Sequence, residues 1–469
     1  MKPGERSEGI SRFWSHSWHG SQWQKVLTLM VLYNGLPSVL FGTCAAFIVM
    51  SLFSLGLLPG FVRVAGLQIL FSTWSLVIGF LVAIATFFFW KPRQEVFFDR
   101  ICISENPNLK ALAIFSLAGM LKKSREMLVL WDPSWSDRLW CLFELASFLK
   151  CKNGQEKQKV LIMMPTFVGP CSITAFLTVC AAMLGATTLP IEGFASLVPF
   201  IGLLSFGALV GFFALMAFRG YFHSVDILEE KLGSTSFDQV TCHCCECNHL
   251  SETGQRLECD REVLKQCVRI WFGSTTAFEE SVRSELCGIV VTELRQDVFT
   301  RGWALKVGLP ILWAFMDLAA TNIRIAYYDL AFEFFATGLV VWLGCAPILC
   351  DLVVFLTRRY CQAQGCGSWS VFLDFFWKLW LELLVILVVA GLGGIHFLLH
   401  ILLPLHTWPQ TLGRAGAFAG SILILGVLVE VLKRARRCQG FHGQRPAPAF
   451  NGSDDIDENP PRSADIVSL

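Results

Sequence analysis

Residues 127–150 read MLVLWDPSWSDRLWCLFELASFLK. The run from Met127 to Trp131 is apolar without alternation, the pattern of a short strand buried on both faces. Pro133 turns the chain. A helix is then expected from about Ser136 to Lys150, with Ser136 as N-cap and Asp137 in the first turn, where the helix dipole favours an acid. Working outward, Val160 to Met164 is a second buried-strand candidate ending at Pro165, Glu95 to Ile103 is a third, and Leu109 to Lys123 reads as an amphipathic helix. Strands alternating with helices build a parallel α/β layer, so residues 91–166 are expected to form a small soluble module.

That module is set in a chain whose remainder belongs in a membrane. Of 469 residues, 54% are hydrophobic, only 16% are charged and 40 are Phe, which excludes an ordinary soluble protein of this length. A span needs about 20 largely apolar residues. Eight stretches qualify, near 30–57, 65–90, 167–190, 194–218, 303–323, 331–357, 379–403 and 412–432. The first is too long for a cleaved secretory signal and reads as a retained anchor. The expected class is therefore an α-helical multi-pass membrane protein of about eight spans with a small α/β insertion. Its parts are an interfacial segment (1–25) rich in Trp and His, two spans (26–90), the α/β module (91–166), two spans (167–218), a Cys/His-rich loop (219–302), four spans (303–432) and a basic, then acidic, disordered tail (433–469).

Basic side chains resist translocation, and their distribution orients the chain. Segments 1–25, 91–166, 219–302, 358–378 and 433–469 hold 34 of the 38 Lys and Arg, whereas the opposite loops hold only Arg63, Arg324 and Arg414. Both termini are thus expected in the cytosol. None of the 18 cysteines falls in the four external loops, so no disulfide framework is expected and cytosolic thiols stay reduced. The sequon at Asn451 lies in the cytosolic tail and should remain unglycosylated. With a net charge of +1, the expected partners are the bilayer and cytosolic proteins, not nucleic acid.

The second cytosolic loop carries TCHCCECNHLSETGQRLECDRE at 241–262. Cys242, Cys244, Cys245, Cys247, His249 and Cys259, with His243, offer several ways to assemble four soft ligands for a structural Zn²⁺. Catalytic zinc is disfavoured, because no Glu stands in a general-base arrangement with a ligand pair. The stretch Arg261 to Gln296 reads as two amphipathic helices lying along the membrane surface. Among the spans, Asp317 and Glu382 are the deepest acids, and an ionisable group at that depth costs at least about 2.5 kcal/mol. They are the residues a transporter or channel would use. His396 and His400 share a helical face near the outer boundary.

The short strand, the turn and then Trp140-Cys141-Leu142-Phe143-Glu144-Leu145 resemble the Toll/interleukin-1 receptor (TIR) domain, whose helix after the third strand carries a Trp-Cys-x-x-Glu-Leu box. Phe97-Phe98-Asp99 and Lys123-Ser124-Arg125 also fall where that family's second strand and the end of its second helix would be. Across most of the chain, FFDRICIS, SREMLVLW, RLWCLFELASF, ECDREV and WFGS resemble a group of multi-pass membrane proteins of dinoflagellate algae with no established function. The TIR resemblance implies that Glu144 is the catalytic carboxylate of NAD⁺ cleavage, with Trp140 lining the nicotinamide side, or that the module acts by self-association. Three features depart from the family. No room is left before Glu95 for its first strand and first helix, Ala111 stands where a loop glycine is usual, and a membrane span replaces its last strand and helix. The docking reading instead makes the box a core helix with Glu144 paired to Arg138.

Overall fold

A computed structural model describes residues 10–63, 69–98, 117, 119–152, 160–188, 217–246, 248–249, 259–296, 298–363 and 407–440, with isolated positions between 376 and 402. The chain is mostly helical with a small parallel sheet. In order, its elements begin with strand β1 (Ile10–His16), helix α1 (Gln22–Ser54), a short antiparallel pair β2 (Phe61–Arg63) and β3 (Ile69–Phe71), and helix α2 (Trp74–Phe89). Strands β4 (Val96–Phe98) and β5 (Ser124–Trp131), helix α3 (Leu139–Lys150), strand β6 (Leu161–Pro165) and helix α4 (Val168–Thr188) follow.

The four sheet strands are all parallel and lie in the order β4-β1-β5-β6. The segment expected to lie at the headgroups therefore contains a central strand, and the sheet draws that strand from the chain ahead of α1. Its register puts Arg12 opposite Glu126, and the two form an ion pair at 2.6 Å. Phe13 is fully buried and stacks on Phe97 at 5.0 Å. Met127 to Trp131 are buried throughout, as a strand covered on both faces must be.

Helix α3 starts later than expected. Trp135–Asp137 form a 3₁₀ turn, and Arg138, in extended conformation, is the N-cap without a side-chain cap, so Ser136 does not cap the helix. The orphan amide of Leu139 instead donates to the carbonyl of Thr241 at 3.1 Å. From Cys141 to Leu149 the helix is buried all round, the fate of a helix that is apolar on every face.

What covers it is the second loop. Helix α5 (217–233), helix α7 (Asp260–Phe272) and the segment 275–296 contribute Leu228, Leu264, Val268, Phe278, Leu286, Val290 and Leu294 to the same apolar core as Phe13, Met127 and Phe143, with the single turn α6 (His243–Glu246) between α5 and α7 in the chain. The amphipathic helices of 261–296 thus turn their apolar faces onto the sheet module, not along a membrane. Gly273, at φ +86, ends α7, and Ser274 caps the next helix by accepting from the Ala277 amide at 3.0 Å.

Among the described residues four helical stretches are long and apolar enough to cross a membrane: Gln22–Ser54, Val168–Thr188, Tyr328–Arg358 and Trp408–Val431. Arg301–Val307 and helix α8 (Leu309–Arg324) make a fifth if that pair, bent by 46° ahead of Pro310, is one span. Trp74–Phe89 is a shorter apolar helix. The stretches expected near 194–218 and 379–403, with Glu382, His396 and His400, fall almost wholly outside the described residues. Helices α1, α2 and α8 pack around Trp313, which is fully buried and donates to Thr43 Oγ1 at 3.2 Å. A Cβ on Gly42 would stand 2.8 Å from the Gly79 carbonyl oxygen, the close approach that small residues permit between packed apolar helices.

Candidate functional site

The residue on which an NAD⁺-cleaving reading depends is sealed. Glu144 is 4% exposed, and Ser15 Oγ of β1 donates to its Oε2 at 2.7 Å. One turn earlier Cys141 Sγ donates to the His16 carbonyl at 3.5 Å, so the box helix is fastened to the strand that sequence reasoning placed at the membrane surface. Arg138, the partner expected for Glu144, pairs with Glu246 at 2.7 Å. Trp140 is half-buried against the core. A cavity of about 250 Å³ lies beyond the carboxyl ends of β5 and β6, lined by Gln24, Trp131, Asp132, Thr166, Phe167 and Tyr221 among others, but neither Glu144 nor Trp140 belongs to its wall.

The Cys/His-rich loop does converge. Cys244, Cys245, His249 and Cys259 bring one ligand atom each within 4.8 Å of one another. Cys245 Sγ lies 3.9 Å from Cys244 Sγ, 3.8 Å from Cys259 Sγ and 3.9 Å from His249 Nε2. A tetrahedron built on Zn–S bonds of 2.3 Å has S···S edges of about 3.8 Å, so the two sulfur separations from Cys245 fit a four-ligand set that could hold a metal ion. Local structure explains the convergence. Cys244 and Cys245 share the turn α6. Asn248 and His249 are both left-handed, at φ 51 and 59, and the His249 amide donates to the Cys244 carbonyl at 2.8 Å. Cys259 is the N-cap residue of α7, and the next amide, Asp260 N, donates to Cys244 Sγ at 3.3 Å. Four protein ligands leave no open position for a reacting water.

Of the other sulfur candidates, Cys242 stands beside this set, 3.4 Å from Cys244 Sγ, and forms a second buried group with Cys244 and Asp260. Burial, and next the neighbouring Cys244 thiol, hold Cys242 well above the usual thiol pKa. Cys247 lies outside the described residues.

Asp317 is an internal cap. It is fully buried, its Oδ1 accepts from Ser72 Oγ at 2.7 Å and the Ser75 amide at 2.9 Å, and its Oδ2 accepts from the Leu76 amide at 3.0 Å. Those amides belong to the first turn of α2. Asp351 pairs with Arg301 and Lys433, and Glu430 with Arg434.

No family model, curated protein or solved structure matches this chain. Its function therefore rests on the residues themselves. Those that sequence reasoning missed are Ser15, Thr241 and Glu246, each polar and each joining segments more than 100 residues apart. Only the spacing of Phe13 and Ser15 on one face of IleSerArgPheTrpSerHis pointed to the first of them.

Proposed function

We propose that this chain is a membrane-anchored protein of signalling or scaffold type, working through protein contacts made on the cytosolic side by the sheet module, with a structural Zn²⁺ held by Cys244, Cys245, His249 and Cys259. The observation that carries the first part is the burial of Glu144, hydrogen-bonded to Ser15 and 4% exposed. A carboxylate meant to stabilise an oxocarbenium-like transition state must meet its substrate. Buried here, it serves instead as the polar pin between α3 and β1. The strand order, with the Trp-Cys-x-x-Glu-Leu helix following the third strand of the module in chain order, supports the TIR-like reading of the fold and with it self-association as the mode of contact. The cytosolic side is supported by the Lys and Arg distribution. The zinc assignment is supported by the sulfur spacing.

Detergent-solubilised full chain incubated with NAD⁺ is expected to release no nicotinamide. Release that disappears in Glu144→Ala would overturn the contact reading and establish hydrolysis. Light scattering of the same preparation should show a mass that rises with protein concentration, and elemental analysis should return about one zinc per chain, lost in Cys245→Ser.

A further inference from the structure

An open parallel sheet binds ligands outside the carboxyl ends of its strands, at the place where the strand order reverses. Here that place lies between β1 and β5, flanked by Ser17–Gly20 on one side and Asp132–Arg138 on the other. Its floor is polar and tightly held. Ser17 Oγ and Ser134 Oγ are 2.7 Å apart, and Lys25, 7% exposed, donates to the carbonyls of Ser17 and Gly20. Asp132 is 7% exposed. Its Oδ1 accepts from the Ser134 amide at 2.9 Å, while its Oδ2 lies against Gly20 with no hydrogen-bond partner among the described residues. An orphaned buried carboxylate oxygen is expensive in a finished core, and it is the kind of group that a crevice keeps for something else.

Against these two loops lies the Cys/His knuckle. One carboxylate oxygen, Glu246 Oε2, reaches both flanks at once: His19 Nε2 at 3.7 Å after β1 and Arg138 Nη1 at 2.7 Å after β5. Behind it the Thr241 amide donates to the Asp137 carbonyl at 2.8 Å, the Leu139 amide donates to the Thr241 carbonyl at 3.1 Å, and Lys231 Nζ pairs with Asp137 Oδ1 at 2.7 Å. Glu246 is presented by α6, a helix of only four residues followed by two left-handed ones. A single turn has no stability of its own in water. Two of its residues, Cys244 and Cys245, are ligands of the metal set, and His249 and Cys259 tie the turn to α7.

We propose that the knuckle is a metal-dependent latch over the carboxyl edge of the sheet: metal at Cys244, Cys245, His249 and Cys259 holds α6 in the shape that lets Glu246 bridge His19 and Arg138, and loss of the metal opens the β1–β5 crevice. This rests on the zinc reading above. Glu246 is the positioning residue of the latch and binds no metal.

The test uses the full chain in nanodiscs, with zinc content and amide hydrogen exchange read on the same sample. Chelation that removes the metal is expected to raise exchange at least ten-fold at residues 17–20 and 134–139, with residues 28–50 of α1 and the amides of β5 unchanged. Glu246→Ala is expected to keep its zinc and yet show the same two openings. Absence of zinc from the untreated protein would overturn the zinc reading itself. Metal loss with residues 17–20 and 134–139 still protected would overturn the latch while leaving that reading intact. Opening of β5 on chelation would also overturn it, since the metal would then hold the whole fold.

Discussion

Asp317→Ala is expected to destabilise the packing of α1, α2 and α8 by about 2–4 kcal/mol. The carboxylate takes the place of an N-cap for α2, because Thr73, the residue in that position, makes no side-chain cap bond. It accepts from the Ser75 and Leu76 amides and from the Ser72 hydroxyl at 2.7–3.0 Å, with no exposure to solvent. Deleting it strands two backbone amides in a dry site at about 1–2 kcal/mol each, and leaves the Ser72 hydroxyl without the acceptor it has at 2.7 Å. Asp317→Asn keeps one oxygen and should cost roughly half as much. Thermal unfolding of the detergent-solubilised protein, with amide exchange at Ser75 and Leu76, reads both variants. An alanine variant within about 0.5 kcal/mol of the parent, or unchanged exchange at those two amides, would refute the capping role and return Asp317 to the candidates for an ion pathway.

Gly169→Ala should fail more abruptly, since a Cβ there would stand 2.3 Å from the Thr28 backbone nitrogen and 2.6 Å from the Leu27 carbonyl carbon of α1; a loss of about 3 kcal/mol or more is expected, seen as a collapse of folded yield in size-exclusion chromatography. Arg414→Met should cost about 3–5 kcal/mol, because the guanidinium, fully buried, grips both oxygens of Glu333 at 2.7–3.1 Å and its removal leaves an unpaired buried carboxylate. The double variant Glu333→Leu with Arg414→Met should regain most of that in the same unfolding assay, and a simple sum of the two single losses would count against the pair.

Strand β5 was legible because both of its faces are buried, so its apolar run survives without any partner in view. Strand β1 was not, and the reason is physical. Its inward side is Phe13 and Ser15, the latter there to hold Glu144, and Arg12 is half-covered through its bond to Glu126. Polar groups satisfied by distant partners look, in sequence, like groups meant for water. The same rule hid the start of α3, whose first amide is satisfied by Thr241. The cysteine cluster was visible by composition, but the choice of side chains that converge was not. That choice depends on two left-handed residues returning His249 and on Cys259 arriving at the head of α7.

In the sheet, β1 and β4 are adjacent and parallel, yet the chain between them is α1 and α2, one of them 33 residues and so about 50 Å long. The crossover of a soluble α/β unit is replaced by two apolar helices, of which α1 is long and apolar enough to cross a membrane. Strand β1 thus comes first in the chain and meets its neighbours β4 and β5 only after both helices have been made. A fragment cut at residue 91 would lack its middle strand and the polar pin on Glu144. The apolar helix pair is therefore built into this module, because the connection from β1 to β4 runs through α1 and α2.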